Sequence, residues 1–346
     1  MKAPVLARQE PTQAAAAIAV EGLEAAPAAE IAGPIGYRSD VLSRCLSWLG
    51  ERVILFRAGD WVFVNFGLLS GLGAFLALVW MAALTVGQGL APGLFPVLAL
   101  GGSVGIVAGS WLVAQVFDYR MLLDDPVAAL RRPTFISWGG LLALPLVVAP
   151  FARYAEFDAL LLLDALARAT PLGQALGRVG CLTYGCCYGR PTEHSPAITY
   201  RHPLAKAVRV GGLRGVPLHP AALYEAVLLL GVFALANASA VLDAPVGVPS
   251  ALALLLYGAG RLAIEFTRDN EGRFLFGRVA VNHAVSLATA GIGALLLYVV
   301  LANPQAALPF VGSAALQALD LLPILACAGA VVFVGFAAHR GDVGRW

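Results

Sequence analysis

Residues 61–86 read WVFVNFGLLSGLGAFLALVWMAALTV, without one charged side chain. A helix rises about 1.5 Å per residue, so roughly 20 apolar residues cross the ~30 Å hydrocarbon core of a bilayer. Lipid offers no partner to an open backbone amide, so an apolar run of this length is read as a spanning helix. The pattern repeats outward from it. Residues 90–117, 133–151, 217–242, 244–266, 279–301 and 313–338 are further apolar runs. A weaker one, 159–176, carries Asp164 and Arg168 and either crosses the membrane or lies along it. The expected fold is an all-α polytopic membrane protein of seven or eight transmembrane helices.

Composition agrees. Of the 346 residues 59% are hydrophobic and only 13% charged, against about 25% charged in a soluble domain. The net charge of +2, with no basic arm, excludes a nucleic-acid partner. Five cysteines, an odd number, argue against a complete disulfide framework. Residues 1–40, rich in Ala, Pro and Glu, lack the pattern of a signal peptide and read as a disordered extension. Residues 41–60 read as an amphipathic approach segment on the membrane surface. The transmembrane domain follows over 61–302, interrupted at 177–216 by a polar loop too hydrophilic to span. Residues 303–346 add one more helix and a basic tail with Arg340 and Arg345.

One run carries charge. Tyr257, Arg261, Glu265 and Arg268 are spaced 0, 4, 8 and 11, which places them within about 80° of one helix face. A charge inside a spanning helix costs about 2.5–3.5 kcal/mol even on a lenient scale, so such residues face a protein interior or a watery cavity. The plain reading is an Arg261–Glu265 salt bridge that solubilises a helix end. The functional reading is an anion site, since guanidinium forks bind phosphate, and a phosphate at a membrane interface belongs to a phospholipid headgroup.

The polar segment is the other unusual stretch. Gly177, Gly180, Gly185 and Gly189 permit tight turns, and Arg178, Arg190, Arg201, Arg209 and Arg214 add phosphate-binding cations. His219, Tyr224 and Glu225 open the next apolar run, and Cys181, Cys186 and Cys187 crowd together. A basic loop on anionic lipid would also have this composition. The cysteines admit a disulfide brace, or a zinc site with His194, His202 or His219, though at no recognised spacing.

Three motifs carry a resemblance. GRVGCLTYGCCYGRPT (177–192) aligns without a gap to the pattern Gly-Arg-x-Gly-Asn-Phe-x-Asn-x-Glu-x-x-Gly-Arg-Pro-Thr. HPAALYEA (219–226) resembles His-Pro-x-x-Leu-Tyr-Glu, and LLYGAGRLAIEFTRDNE (255–271) resembles Tyr-Gly-x-x-Arg-Phe-x-x-Glu-Phe-x-Arg. In this order they resemble the prolipoprotein diacylglyceryl transferase family over about residues 61–301. The resemblance implies transfer of the diacylglyceryl group of phosphatidylglycerol to a prolipoprotein lipobox cysteine in the bacterial inner membrane, with no cofactor and no metal. It implies catalytic roles for Arg178, Tyr257, Arg261 and Glu265. It implies substrate-binding roles for Gly189, Arg190, Arg268, His219, Tyr224 and Glu225.

The departures are local. Cys181-Leu182-Thr183-Tyr184 replaces Asn-Phe-x-Asn, Cys186 replaces the glutamate, and Trp138 stands where the family has histidine. Phe66 replaces a tyrosine. The roles of Cys181, Cys186, Cys187 and Trp138 therefore stay open. Two other readings keep the scaffold: transfer of a lipid moiety to a different acceptor, using the cysteines, or a non-catalytic lipid-binding or lipid-transport protein. The positive-inside rule puts the basic segments in the cytoplasm, whereas the resemblance implies a site on the outer side.

Overall fold

The computed structural model describes residues 40–117, 119–131, 137–268, 274–275, 279–306 and 310–340. The extension expected over 1–40 lies outside the described residues except for Asp40. The long helices are α1 (Val41–Gly50), α2 (Asn65–Gly87), α3 (Phe95–Phe117), α4 (Ser137–Tyr154) and α5 (Ala159–Tyr184). They are followed by α6 (Ala221–Val241), α7 (Val248–Glu265), α8 (Val281–Ala302) and α9 (Leu322–Ala337).

Among the described residues six helical stretches are long and apolar enough to cross a membrane: 65–87, 92–116, 221–241, 248–265, 282–302 and 312–337. The protein is thus a multi-pass membrane protein, with fewer qualifying stretches than the seven or eight expected. Neither α4 nor α5 is among the six. Yet α5 runs antiparallel along α2, with Gly180 against Phe66 and Gly173 against Gly73. A Cβ on Gly173 would lie 2.7 Å from the Gly73 carbonyl oxygen, so glycine at both positions lets the two backbones approach. From α2 the neighbours continue on one side to α9, α3 and α4, and on the other through α5 and α6 to α7 and α8. Leu287, Ile292 and Leu295 on α8 and Leu68 and Leu72 on α2 are exposed, as lipid-facing positions require.

Two expected boundaries move. The polar loop does not begin at Gly177: residues 177–184 are the last two turns of α5, ended by Gly185 in the left-handed region (φ +68°), whose N–H bonds the Cys181 carbonyl. Helix geometry continues there because the glycines pack against α2 while the polar side chains turn toward protein. The 41–60 segment divides into α1 and strand β1 (Ile54–Ala58), which turns back into β2 (Trp61–Val64). Helix α1 docks on protein through Ser43 and Ser47, whose hydroxyls each accept an N–H at 3.0 Å, from Ala197 and Thr199. Its Val41 and Trp48 stay exposed.

Residues 185–220 fold into a small head held by β3 (Ile198–Thr199) and β4 (Pro217–Leu218). Tyr184, Tyr200, Ile198 and Leu218 are fully buried in it, with Val53 and Val64 from below. A short hairpin, β5 (Phe274–Leu275) with β6 (Val279–Ala280), leads into α8. After α9 the chain pairs as β7 (Ala338–Arg340) with β2, so the C-terminal addition joins the N-terminal hairpin. All these elements lie at one end of the bundle, the end where α5 and α7 finish and α2, α6 and α8 begin.

Candidate active site

Glu225, at the start of the second turn of α6, is fully buried and gathers the charged side chains. Arg178, from the last turns of α5, places Nη2 2.8 Å from Glu225 Oε1, and Tyr257 on α7 donates its hydroxyl to the same oxygen at 2.8 Å. Arg261 Nε lies 3.5 Å and Arg268 Nη1 3.9 Å from Glu225 Oε2. Arg261 also donates to Glu265 one turn on, and Arg268 Nε is 3.8 Å from Glu265 Oε2. The helical spacing of Tyr257, Arg261 and Glu265 thus delivers one polar face of α7, and Glu225 and Arg178 close it from α6 and α5. Arg268, expected on the same helical face, lies beyond the end of α7 and is brought in by its bridge to Gly189.

Among the described residues three guanidinium groups confront two carboxylates, an excess of one positive charge among these five groups. Glu225 Oε2 and Arg268 Nε are buried without a hydrogen-bond partner. An unmet buried donor is costly, typically about 1–3 kcal/mol, and native proteins keep one where it serves a purpose. The arginines differ in access. Arg261 is only 5% exposed, whereas Arg178 and Arg268 keep 17% and 14% of their side chains open.

The backbone holds the parts together. Gly189 forms an isolated bridge to Arg268, and its N–H donates to the His219 carbonyl at 3.1 Å. A Cβ on Gly189 would lie 2.5 Å from His219 Cβ and 2.7 Å from the Thr267 carbonyl oxygen, so only glycine fits between the head and the end of α7. Arg190 donates its N–H to the Thr267 carbonyl and Nε to the Arg268 carbonyl at 3.0 Å. These contacts make it a strut that positions Arg268 through the backbone. His219 Nδ1 and the Tyr224 hydroxyl face each other at 3.3 Å.

A family model described as prolipoprotein diacylglyceryl transferase matches residues 53–299. The chain belongs to that family. It is similar to the phosphatidylglycerol–prolipoprotein diacylglyceryl transferase of Clostridium tetani, 25% identical over 244 residues, which cover 69% of this chain and 94% of that relative. The namesake protein of Dehalococcoides mccartyi is 33% identical over 168 residues, 48% of this chain and 62% of its own length. That of Bordetella avium is 33% identical over 212 residues, 60% of this chain and 76% of its own. Every residue of the charged cluster falls inside the family match.

Two departures from the family pattern, Cys181 and Cys186, sit with Cys187 beside that cluster. Arg178 Nη1 lies 3.5 Å from Cys187 Sγ and 4.0 Å from Cys181 Sγ, and the three thiols are free. Cys187 has a left-handed backbone (φ +56°), unusual for a side chain of any size. Thiol hydrogen bonds with Cys181 and Cys186, then the charges of Arg268 and Arg178, hold its thiol well below the ordinary range. Burial lowers the pKa of His219, with His194 adding to the effect. Trp138 belongs to the first turn of α4, and its side chain lies outside the described residues.

Sequence reasoning missed Asn282. Its Nδ2 donates to Glu265 Oε1 at 3.0 Å from the start of α8. The only signal was a polar pair, Asn282-His283, opening an apolar run. Asp164 and Arg168, noticed but given no role, are elsewhere. Asp164 caps α7, and Arg168 Nε donates to Asn237 Oδ1 at 3.2 Å.

Proposed function

We propose that this protein transfers the diacylglyceryl group of phosphatidylglycerol to the cysteine thiol of a prolipoprotein, releasing glycerol phosphate, in the bacterial-type cytoplasmic membrane with the site on the outer side. The observation that carries the reading is the buried excess of guanidinium charge around Glu225 at one end of the bundle. Family membership supports the same chemistry.

Arg178 and Arg268, the two with open sides, take the phosphodiester of the lipid. Arg261, held by Glu225 and Glu265, keeps the field positive behind them. Tyr257 fixes the Glu225 carboxylate, and Gly189 and Arg190 fix the backbone of Arg268. The acceptor thiol gives its proton to solvent, and as its sulfur bonds to the terminal glyceryl carbon, that carbon's bond to the phosphate oxygen breaks. Glycerol phosphate leaves with the electron pair. Charge grows on the phosphate as the bond breaks, and cations already in place stabilise that state more than the ground state.

The test incubates the purified protein with phosphatidylglycerol micelles and a lipobox cysteine peptide, read by mass spectrometry. The expected result is a peptide heavier by one diacylglyceryl group and an equal amount of glycerol phosphate. Glycerol phosphate without modified peptide would replace the acceptor, and no product of either kind would overturn the reading. For sidedness, with the native cysteines replaced by serine, an impermeant maleimide added to intact cells should label a cysteine placed at exposed Arg214 and spare one placed at Asp243.

A further inference from the structure

Cys181, Cys186 and Cys187 place their sulfurs within 4.8 Å of one another. Cys181 is on the last turn of α5. Gly185 and Cys187, both left-handed, turn the chain so that the following pair comes back beside it. Tetrahedral zinc, with Zn–S bonds of about 2.3 Å, sets sulfurs roughly 3.8 Å apart, so closing by about 1 Å through side-chain rotation forms the site. Three thiolates and Zn²⁺ sum to one negative charge. Arg178 Nη1, 3.5 Å from Cys187 Sγ, sets positive charge beside that cluster. Cys181 and Cys186 occupy the positions where the family pattern has asparagine and glutamate.

The reaction needs the acceptor as a thiolate. Glu225 and Glu265 are fully buried and each is already paired with at least two guanidinium groups, so neither stands open to an incoming thiol. A metal deprotonates a coordinating thiol outright, and a zinc held by three protein ligands keeps a fourth position open.

We infer that Cys181, Cys186 and Cys187 form a three-thiolate zinc site whose open position binds the acceptor cysteine as a thiolate, next to the arginines that hold the lipid phosphate. This rests on the proposed transfer reaction. The acceptor thiol gives its proton to solvent as its sulfur binds zinc. The sulfur then bonds to the terminal glyceryl carbon, the carbon–oxygen bond to phosphate breaks, and glycerol phosphate leaves. The thioether product is neutral and a weak ligand, so it dissociates and reopens the site. No oxidant or reductant takes part.

The experiment uses the full chain in detergent. After equilibration with zinc and desalting, about one zinc per chain is expected by elemental mass spectrometry, and none in C181S/C186S/C187S. Cobalt(II) in place of zinc should show thiolate-to-metal absorption that changes when a lipobox cysteine peptide is added and stays unchanged with its serine analogue. Zinc not retained by the unaltered protein would overturn the site. A cobalt spectrum indifferent to the cysteine peptide would overturn the acceptor role, as would transfer at full rate after metal removal by a chelator. Retained zinc and a peptide-sensitive spectrum without transferred lipid would uphold the site and instead sink the transferase reading.

Discussion

The two ends of α7 each bury acidic side chains, and the ends differ in how those acids are satisfied. At the N-terminal end Asp164, reaching over from α5, accepts from Gly247 N at 2.6 Å, Ser250 N at 3.0 Å and the Ser250 hydroxyl at 2.6 Å. It replaces the missing N-cap of α7, since Gly247 has no side chain to cap with. Its two oxygens are used, and the helix dipole favours its charge. About 14 residues along α5, some 21 Å at 1.5 Å per residue, Glu225 and Glu265 meet three arginines, and a carboxylate oxygen and a guanidinium nitrogen are left without hydrogen bonds. A carboxylate with every partner supplied by its own fold serves the fold. In the proposed function, the cluster with unmet groups and more guanidinium than carboxylate is the end that an anionic substrate completes.

The comparison predicts opposite phenotypes. Arg178→Lys keeps a positive charge near Glu225 but removes the planar fork, so transfer should fall by about 1,000-fold while thermal melting in detergent changes little. A variant that melts early and transfers normally once cooled would reverse the assignment of the two ends. Asp164→Ala is the mirror test. It strands two backbone donors and a hydroxyl, and should cost about 2–4 kcal/mol of stability, with the specific activity of the folded fraction retained. Gly189→Ala sharpens the active end, because the new Cβ must push His219 or Thr267 away and shift Arg268. Transfer should fall by about tenfold to 100-fold, with the loss mainly in kcat/KM for phosphatidylglycerol.

The smallest effect concerns His339 on β7, a buried group at the same end of the bundle. Burial pushes the His339 pKa down from 6.5 to about 4. The unfolded chain then binds a proton that the folded chain refuses between those values, so this contribution to stability is full above pH 6.5 and declines as pH falls toward 4. Melting temperatures at pH 7 and pH 5 should differ less in His339→Gln than in the unaltered protein. An equal difference in both would remove His339 from the account.

The site was legible where helical periodicity carries it. Tyr257, Arg261 and Glu265 share a face at any depth in any bundle, because 3.6 residues per turn is a local property. Arg178 and Glu225 came from motifs, and only the fold shows that one is the central carboxylate and the other its partner. Asn282 left almost no trace, since a single polar residue at a helix start has no period. The small sheets were unreadable too. β2 begins an apolar run that continues as α2, and it is a strand because it pairs with β1 just before it and with β7 from far away in the chain.

By itself, then, the sequence determined the membrane class, most of the long helices and the chemical type of the site. These follow from hydropathy, length and spacing, which act within a few turns of chain. The tertiary structure decided that α5 continues through Tyr184 along α2, that Asp164 caps a helix, and that three cysteines stand beside Arg178. Each depends on which helix lies next to which. That is settled by close approach between segments distant in the chain, as at Gly73 and Gly173, and no local pattern encodes it.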